Sequence, residues 1–164
     1  MTAILTAVAD AVTAELNAHT FEPPFEAART FVDWDSAVLE GEPETLTVDV
    51  VPVSDLKTEL DDRGHVRYLA AADVVIRNKF GSANLEAIAG TDTARVKHAA
   101  VDPLVALVEL VHEYLAQQQR LTELAAAVWV ETAIRHAVLH AHLRQHHQFT
   151  AIIRATYEVP KALA

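Results

Sequence analysis

The last third of the chain contains an alternation that restricts the fold more than any other feature. Phe149, Ala151, Ile153, Ala155, Tyr157 and Val159 are interleaved with Thr150, Ile152, Arg154, Thr156 and Glu158, and Pro160 stops the run. Successive side chains of a strand point to opposite faces, so this pattern predicts a half-buried strand. A second stretch, His65 to Phe80, predicts a long strand of the same kind. Val66, Tyr68, Ala70, Ala72, Val74 and Ile76 lie on one face, and Arg67, Asp73 and Arg77 lie on the other. The small alanines of the first face predict a helix packed closely over it.

Thr45 to Val53 reads as a further strand. Leu46, Val48 and Val50 share one face, Thr45, Thr47 and Asp49 share the other, and Pro52 marks its end or an edge. Phe25 to Asp33 reads as a strand with a less clean face. Residues 35–44 form an acidic loop with Gly41 and Pro43. Residues 54–64 read as a polar connecting loop ending at Gly64.

Helical spacing appears twice. Over residues 2–18, Ile4, Leu5, Val8, Val12 and Leu16 form one apolar stripe behind Thr2 as N-cap. Asn17 and then Pro23-Pro24 end that helix. Asp102-Pro103 opens a second helix, with Leu104, Leu107, Val108, Val111 and Leu115 as its buried stripe. Residues 81–100, with Gly81 and Gly90, read as a long loop or hairpin tip. Residues 121–147 are ambiguous by composition, because their alanines favour helix while Val128, Val130, Thr132 and Ile134 alternate as in a strand. Strands running consecutively before a helix predict an α+β domain. Its sheet is mostly antiparallel or mixed, with four to five strands and two main helices on one face.

At 164 residues and 51% hydrophobic, the chain suits one domain, 1–164, with a substantial core. It has no cysteine, which excludes a disulfide framework and thiol catalysis and fits a reducing compartment. Its formal net charge of -10 argues against nucleic-acid contact. The segment from Met1 to Leu16 lacks the basic start of a signal peptide, and no apolar run is long enough to span a bilayer, so a soluble protein is expected.

The chemistry-bearing motifs are mostly missing. Glycine at only 41, 64, 81 and 90 builds neither a Walker loop nor a dinucleotide fingerprint. Ser36, Ser54 and Ser82 sit in no nucleophile elbow. Asp33/Asp35 and Asp61-Asp62 fall in loops and read as solvated charge. Trp34 and Trp129 read as core or interface residues. The chain has nine histidines. On a helix, His136/His140 and His142/His146 would be i, i+4 pairs able to chelate a metal. No glutamate lies between them and no third ligand is evident, so the competing reading is a polar, partly exposed turn. No cofactor is called for.

Three strings carry a family resemblance. The first helix reads Ala9-Asp10-Ala11-Val12 and then Glu15-Leu16-Asn17. The second strand reads Leu46-Thr47-Val48-Asp49-Val50-Val51-Pro52. The closing segment reads His142-Leu143-Arg144, then Gln148-Phe149-Thr150, into the strand that holds Tyr157. With the element order, these strings resemble phage and prophage tail-terminator (tail-completion) proteins of the lambda type. The resemblance spans most of the chain and is thinnest at 81–100. It implies a strand near 128–138, a short helical turn near 139–147, and no catalytic residues. It further implies a homo-oligomeric ring, typically a hexamer, on the end of a tail tube. Such a ring stops tube polymerisation and offers a docking surface to the head connector, in a virion tail assembled in the bacterial host cytoplasm. A ring needs a heterologous interface whose rotation closes. The edge of Thr45–Val53 and the following loop are the candidate contact surface: Thr45, Thr47, Asp49, Asp55, Lys57, Asp61, Asp62 and Arg63. The alternatives are another neck or head–tail joining protein, a tail-tube component, a histidine-cluster metal-binding or hydrolytic protein, and a small-ligand module with a large apolar pocket.

Overall fold

A computed structural model describes residues 3–35, 38–60 and 63–160. The order is α1 (Ile4–Asn17), β1 (Ala27–Arg29), β2 (Leu46–Pro52), β3 (Lys57–Leu60), β4 (Val66–Lys79), β5 (Leu85–Ala87), β6 (Ala94–Val96), α2 (His98–Gln117), β7 (Val128–His136), α3 (His140–His146) and β8 (Gln148–Pro160). This is an α+β fold. A six-stranded sheet runs β1-β2-β4-β8-β7, with β3 paired to β4 off that path, and β5 and β6 form a separate hairpin.

The two alternating stretches are the centre of the sheet. β4 and β8 pair antiparallel from Arg67↔Pro160 to Lys79↔Gln148. Ala70, Ala72, Val74 and Ile76 of β4 and Phe149, Ala151, Ile153, Ala155 and Tyr157 of β8 are all fully buried on one face. α1 and α2 cover that face and join it in one core, through Val8, Val12 and Leu16 from α1 and Leu107, Val108, Val111 and Leu115 from α2. Burying each such Val or Leu side chain contributes about 1.5–3 kcal/mol. Alanine at 70 and 72 removes side-chain bulk beneath α1, which lets the helix approach the strand.

The end of α1 is tied to β1 by one side chain. Asn17 Nδ2 donates to the Ala27 carbonyl at 2.9 Å, and the Ala27 N–H donates to Asn17 Oδ1 at 2.7 Å. The amide thus pairs with the strand as a neighbouring peptide would. β1 in turn pairs parallel with β2 from Ala27↔Val48 to Arg29↔Val50.

Several boundaries differ from the sequence expectation. The strand expected at 25–33 shrinks to three residues, because the apolar residues around it serve loop packing: Phe21 is buried, with its ring 5.0 Å from Phe25. Thr2, the expected N-cap, lies outside the described residues, and Ala3 caps α1. α2 starts at His98, one turn before Asp102, and carries Pro103 inside its first turns. The expected connecting loop at 54–64 contains β3, which pairs with β4 from Lys57↔Leu69 to Leu60↔Val66. β3 has no buried face, so no alternation marks it. The 81–100 segment holds a short helical turn at Ser82–Asn84, the β5–β6 hairpin and the first residues of α2. Val128–His136 is a strand and His140–His146 a helix, as the resemblance implied. Among the described residues, no helix is long and apolar enough to cross a membrane.

Candidate functional site

The sheet face away from α1 and α2 is also buried, and it is polar. Asp49, Asp73, Arg77, Gln148 and Thr150 are buried on it beside Val75 and Ile152. Arg77 Nη2 donates to Asp49 Oδ2 at 2.6 Å. Arg154 holds Asp73 with two parallel bonds, Nε to Oδ1 at 2.8 Å and Nη2 to Oδ2 at 3.0 Å. That bond raises the Arg154 pKa; burial opposes it, and the charges of Asp73 and Asp55 reinforce it. These pairs occupy adjacent strands, so they stitch β2, β4 and β8 across the face that the helices leave uncovered.

The segment before β2 is fastened to the same face. The Leu39 N–H donates to Gln148 Oε1 at 2.7 Å, and Gln148 Nε2 donates to Thr150 Oγ1 at 3.0 Å. Thr150 Oγ1 lies 2.9 Å from His142 Nδ1, and His142 Nε2 lies 3.3 Å from the Asp35 carbonyl. A carbonyl only accepts, so Nε2 carries a proton. In the neutral ring Nδ1 then accepts from the Thr150 hydroxyl. The chain of donors has one consistent direction, from Leu39 to Asp35.

This arrangement bears on the histidine pairs. His142 is buried with both nitrogens engaged inside the protein. Its ring lies 6.1 Å from that of His146, while His136 sits on β7 with its ring 5.7 Å from Trp34. His136 and His140 therefore do not share a helix. No group of three histidine, aspartate or glutamate residues comes together to hold a metal among the described residues.

A second buried polar cluster joins α1 to α2. Glu15 accepts from the Thr122 N–H at 3.1 Å and from the Tyr114 hydroxyl at 3.4 Å; that hydroxyl also lies 3.2 Å from the Glu15 carbonyl. Burial, then the Glu15 charge, raises the Tyr114 pKa. Tyr157, fully buried, is raised too, by burial first and then by the charges of Glu15 and Tyr114. Its hydroxyl has no hydrogen-bond partner among the described residues.

The expected contact residues divide. β2 is not a free edge, because β1 pairs with its centre. Asp49 is withdrawn from any surface by its bond to Arg77. Thr45 and Thr47 line a cleft of about 310 Å³ with Glu40, Glu42 and Lys79. Asp55, Lys57 and Arg63 are exposed around β3, and Asp61 and Asp62 lie outside the described residues. Leu60, in that same hairpin, is 72% exposed, and Leu56 is exposed too. The sheet ends at β7, where Val128, Val130 and Ile134 are exposed. The turn before β7 shields its start, since the Trp129 N–H donates to the Gln119 carbonyl at 2.9 Å. His112 Nε2 meets the Thr132 carbonyl at 3.0 Å.

Besides β3, sequence reasoning missed a second feature. A groove of about 600 Å³ opens between the β5–β6 hairpin, the start of α2 and α3. Its apolar surface comes from Ile88, Val96, Val101, Val138 and Leu143. Arg95, Arg144, His98 and His140 also line it, against one carboxylate, Asp102. Arg95 is bonded to Glu86 at 2.7 Å, whereas Arg144 has no ion pair among the described residues. The His147 ring, 3.2 Å from the Ala94 carbonyl, ties the end of α3 to β6 beside it. No periodic signal could have revealed this site, because its residues come from segments about 40 positions apart.

A comparison with protein-family models gives no match, and neither does a comparison with curated proteins.

Proposed function

We infer that the protein is a structural, non-enzymatic assembly subunit of the phage tail-terminator type. It forms a closed ring on the end of a tail tube, stops tube polymerisation and presents a surface to the head connector. The observation that carries this reading is the β3 hairpin. All four of its residues are exposed, and Leu60 holds an apolar side chain in water. The hairpin adds nothing to the core of its own chain, as expected of a segment shaped to meet another molecule. The exposed apolar residues of β7 and the resemblance in α1, β2 and β8 support the same reading. The buried polar groups support it too. The Asp49–Arg77 and Asp73–Arg154 pairs and the His142 relay are internal fastenings, with their bonding capacity turned inward.

The partners in this reading are further copies of the chain, a tail-tube protein and a head–tail connector. Light scattering and native mass measurement test it across micromolar concentrations. A discrete closed oligomer is expected, and a strict monomer contradicts it. Electron microscopy of particles distinguishes a terminator from another neck protein, because a terminator lies at the junction of tube and connector.

A further inference from the structure

We propose that β3 is a self-complementary edge through which two copies of this chain pair, antiparallel, about a two-fold axis at Thr58. This goes beyond the ring reading and does not rest on it, because two copies suffice.

Availability comes first. β3 pairs with β4 alone, so its outer edge is unpaired among the described residues. Alternate backbone N–H and C=O groups of such an edge point away from its own sheet. All four β3 residues are exposed, as is Leu56 just before them. Neither Lys57 nor Glu59 has an ion pair among the described residues. Arg67, opposite Glu59 on β4, is bonded to Glu158.

Register comes second. A two-fold axis through an antiparallel strand pair sets one residue opposite its own copy. An axis at Lys57 or Glu59 sets like charges face to face, and one at Leu60 sets Glu59 against Asp61. With the axis at Thr58, Lys57 of each copy faces Glu59 of the other, and Leu56 faces Leu60. Every directly opposed pair over 56–60 is then matched in charge or polarity, and such pairs are what stabilises a sheet. One step further the sequence sets Asp55 against Asp61, which ends the frame.

The faces agree as well. Leu60 lies opposite Val66 and Thr58 opposite Tyr68, and Tyr68 packs against the core. The four leucines of a pair therefore extend the core face of β4 from one sheet into the next. The two Lys57–Glu59 pairs lie on the other face. In an assembly of six, a separate head-to-tail contact would close three such pairs into a ring.

The chain lacks cysteine, so engineered thiols report the contact without background. Opposed Cα atoms of an antiparallel pair lie about 4.5–5.5 Å apart, within the reach of a disulfide. Thr58→Cys is expected to oxidise to a covalent dimer about tenfold faster than Leu56→Cys or Leu60→Cys alone. Mixing those two variants should give heterodimers as fast as Thr58→Cys gives homodimers. In the Thr58→Cys background, Lys57→Glu or Glu59→Lys should slow trapping about tenfold, and the two together should restore it. If Thr58→Cys traps no faster than its neighbours, or the charge reversal brings no rescue, this proposal falls and the ring reading is untouched. If trapping and rescue both hold while the mass in solution never exceeds a pair, the ring reading falls and this contact stands.

Discussion

Arg77 and Asp49 form an ion pair on the sheet face that the two long helices do not cover, with N–O separation 2.6 Å and side chains 6% and 8% exposed. They are diagonal neighbours, since Arg77 stands opposite Thr47 and Asp49 opposite Val75. Arg77 Nε has no hydrogen-bond partner among the described residues, so the guanidinium depends on this carboxylate. Asp49→Ala would strand a buried charge and lower stability by about 3–5 kcal/mol. Asp49→Leu with Arg77→Met removes both charges and should restore most of that loss. Urea unfolding of the three proteins measures it, and a single-variant loss under about 1 kcal/mol would mean that the pair is solvated.

Tyr114 and Tyr157 give a directional pH dependence. Burial raises both pKa values above the ordinary 10.0, with Glu15 adding to each. Below pH 10 folded and unfolded chains both keep the phenol protons, and stability does not depend on them. Above it the unfolded chain releases protons that the folded chain retains, so the unfolded state binds fewer and stability falls as pH rises. Alkaline unfolding should steepen above pH 10, and Tyr157→Phe should make it shallower. At neutral pH the same variant should be near neutral, since that hydroxyl is unbonded. Phenolate absorbance and circular dichroism, followed together through the titration, check both statements.

Gln148 has no exposed surface and is the middle of the relay that fastens Leu39 to β8. Gln148→Ala leaves the Leu39 N–H and the Thr150 hydroxyl without this partner, at a cost of about 1–3 kcal/mol. Amide exchange at Leu39 should accelerate far more than exchange at the centre of β4. Equal protection in both proteins would contradict the relay.

Ala72 is fully buried on the face under α1. Ala72→Leu forces extra volume between strand and helix and should cost about 1–3 kcal/mol. Leu60→Asp, on the exposed hairpin, should stay within about 0.5 kcal/mol when both proteins are compared at a concentration where each is monomeric. Thermal unfolding of both variants separates a packed position from a surface one.

These contrasts also explain what could be read from the residues. β4, β8 and the stripes of α1 and α2 were legible because one face or stripe is uniformly apolar and uniformly buried. The same logic failed at Asp49. Alternation marks it as facing away from the core, but that face is buried too, and pairing with Arg77 makes the burial tolerable. β3 was invisible because Lys57-Thr58-Glu59-Leu60 buries nothing and so has no pattern. The helical period of α2 showed at Leu104 and beyond, while Asp102-Pro103 suggested a start one turn late. The histidines were visible as a cluster, but only the fold reveals that His142 is consumed by Thr150 and Asp35. Of the candidate contacts, the exposed residues around Lys57 were reachable from composition. The groove between the β5–β6 hairpin and α3 was not, because it forms only when Ile88, Val101 and Leu143 are brought together.

The most direct measurement of the central claim is the mass of the protein in solution, by native mass spectrometry and light scattering from low to high micromolar concentration. A single closed assembly, a hexamer, is predicted, and Leu60→Asp should dissociate it while leaving the fold intact. A protein that remains monomeric throughout that range would contradict the account.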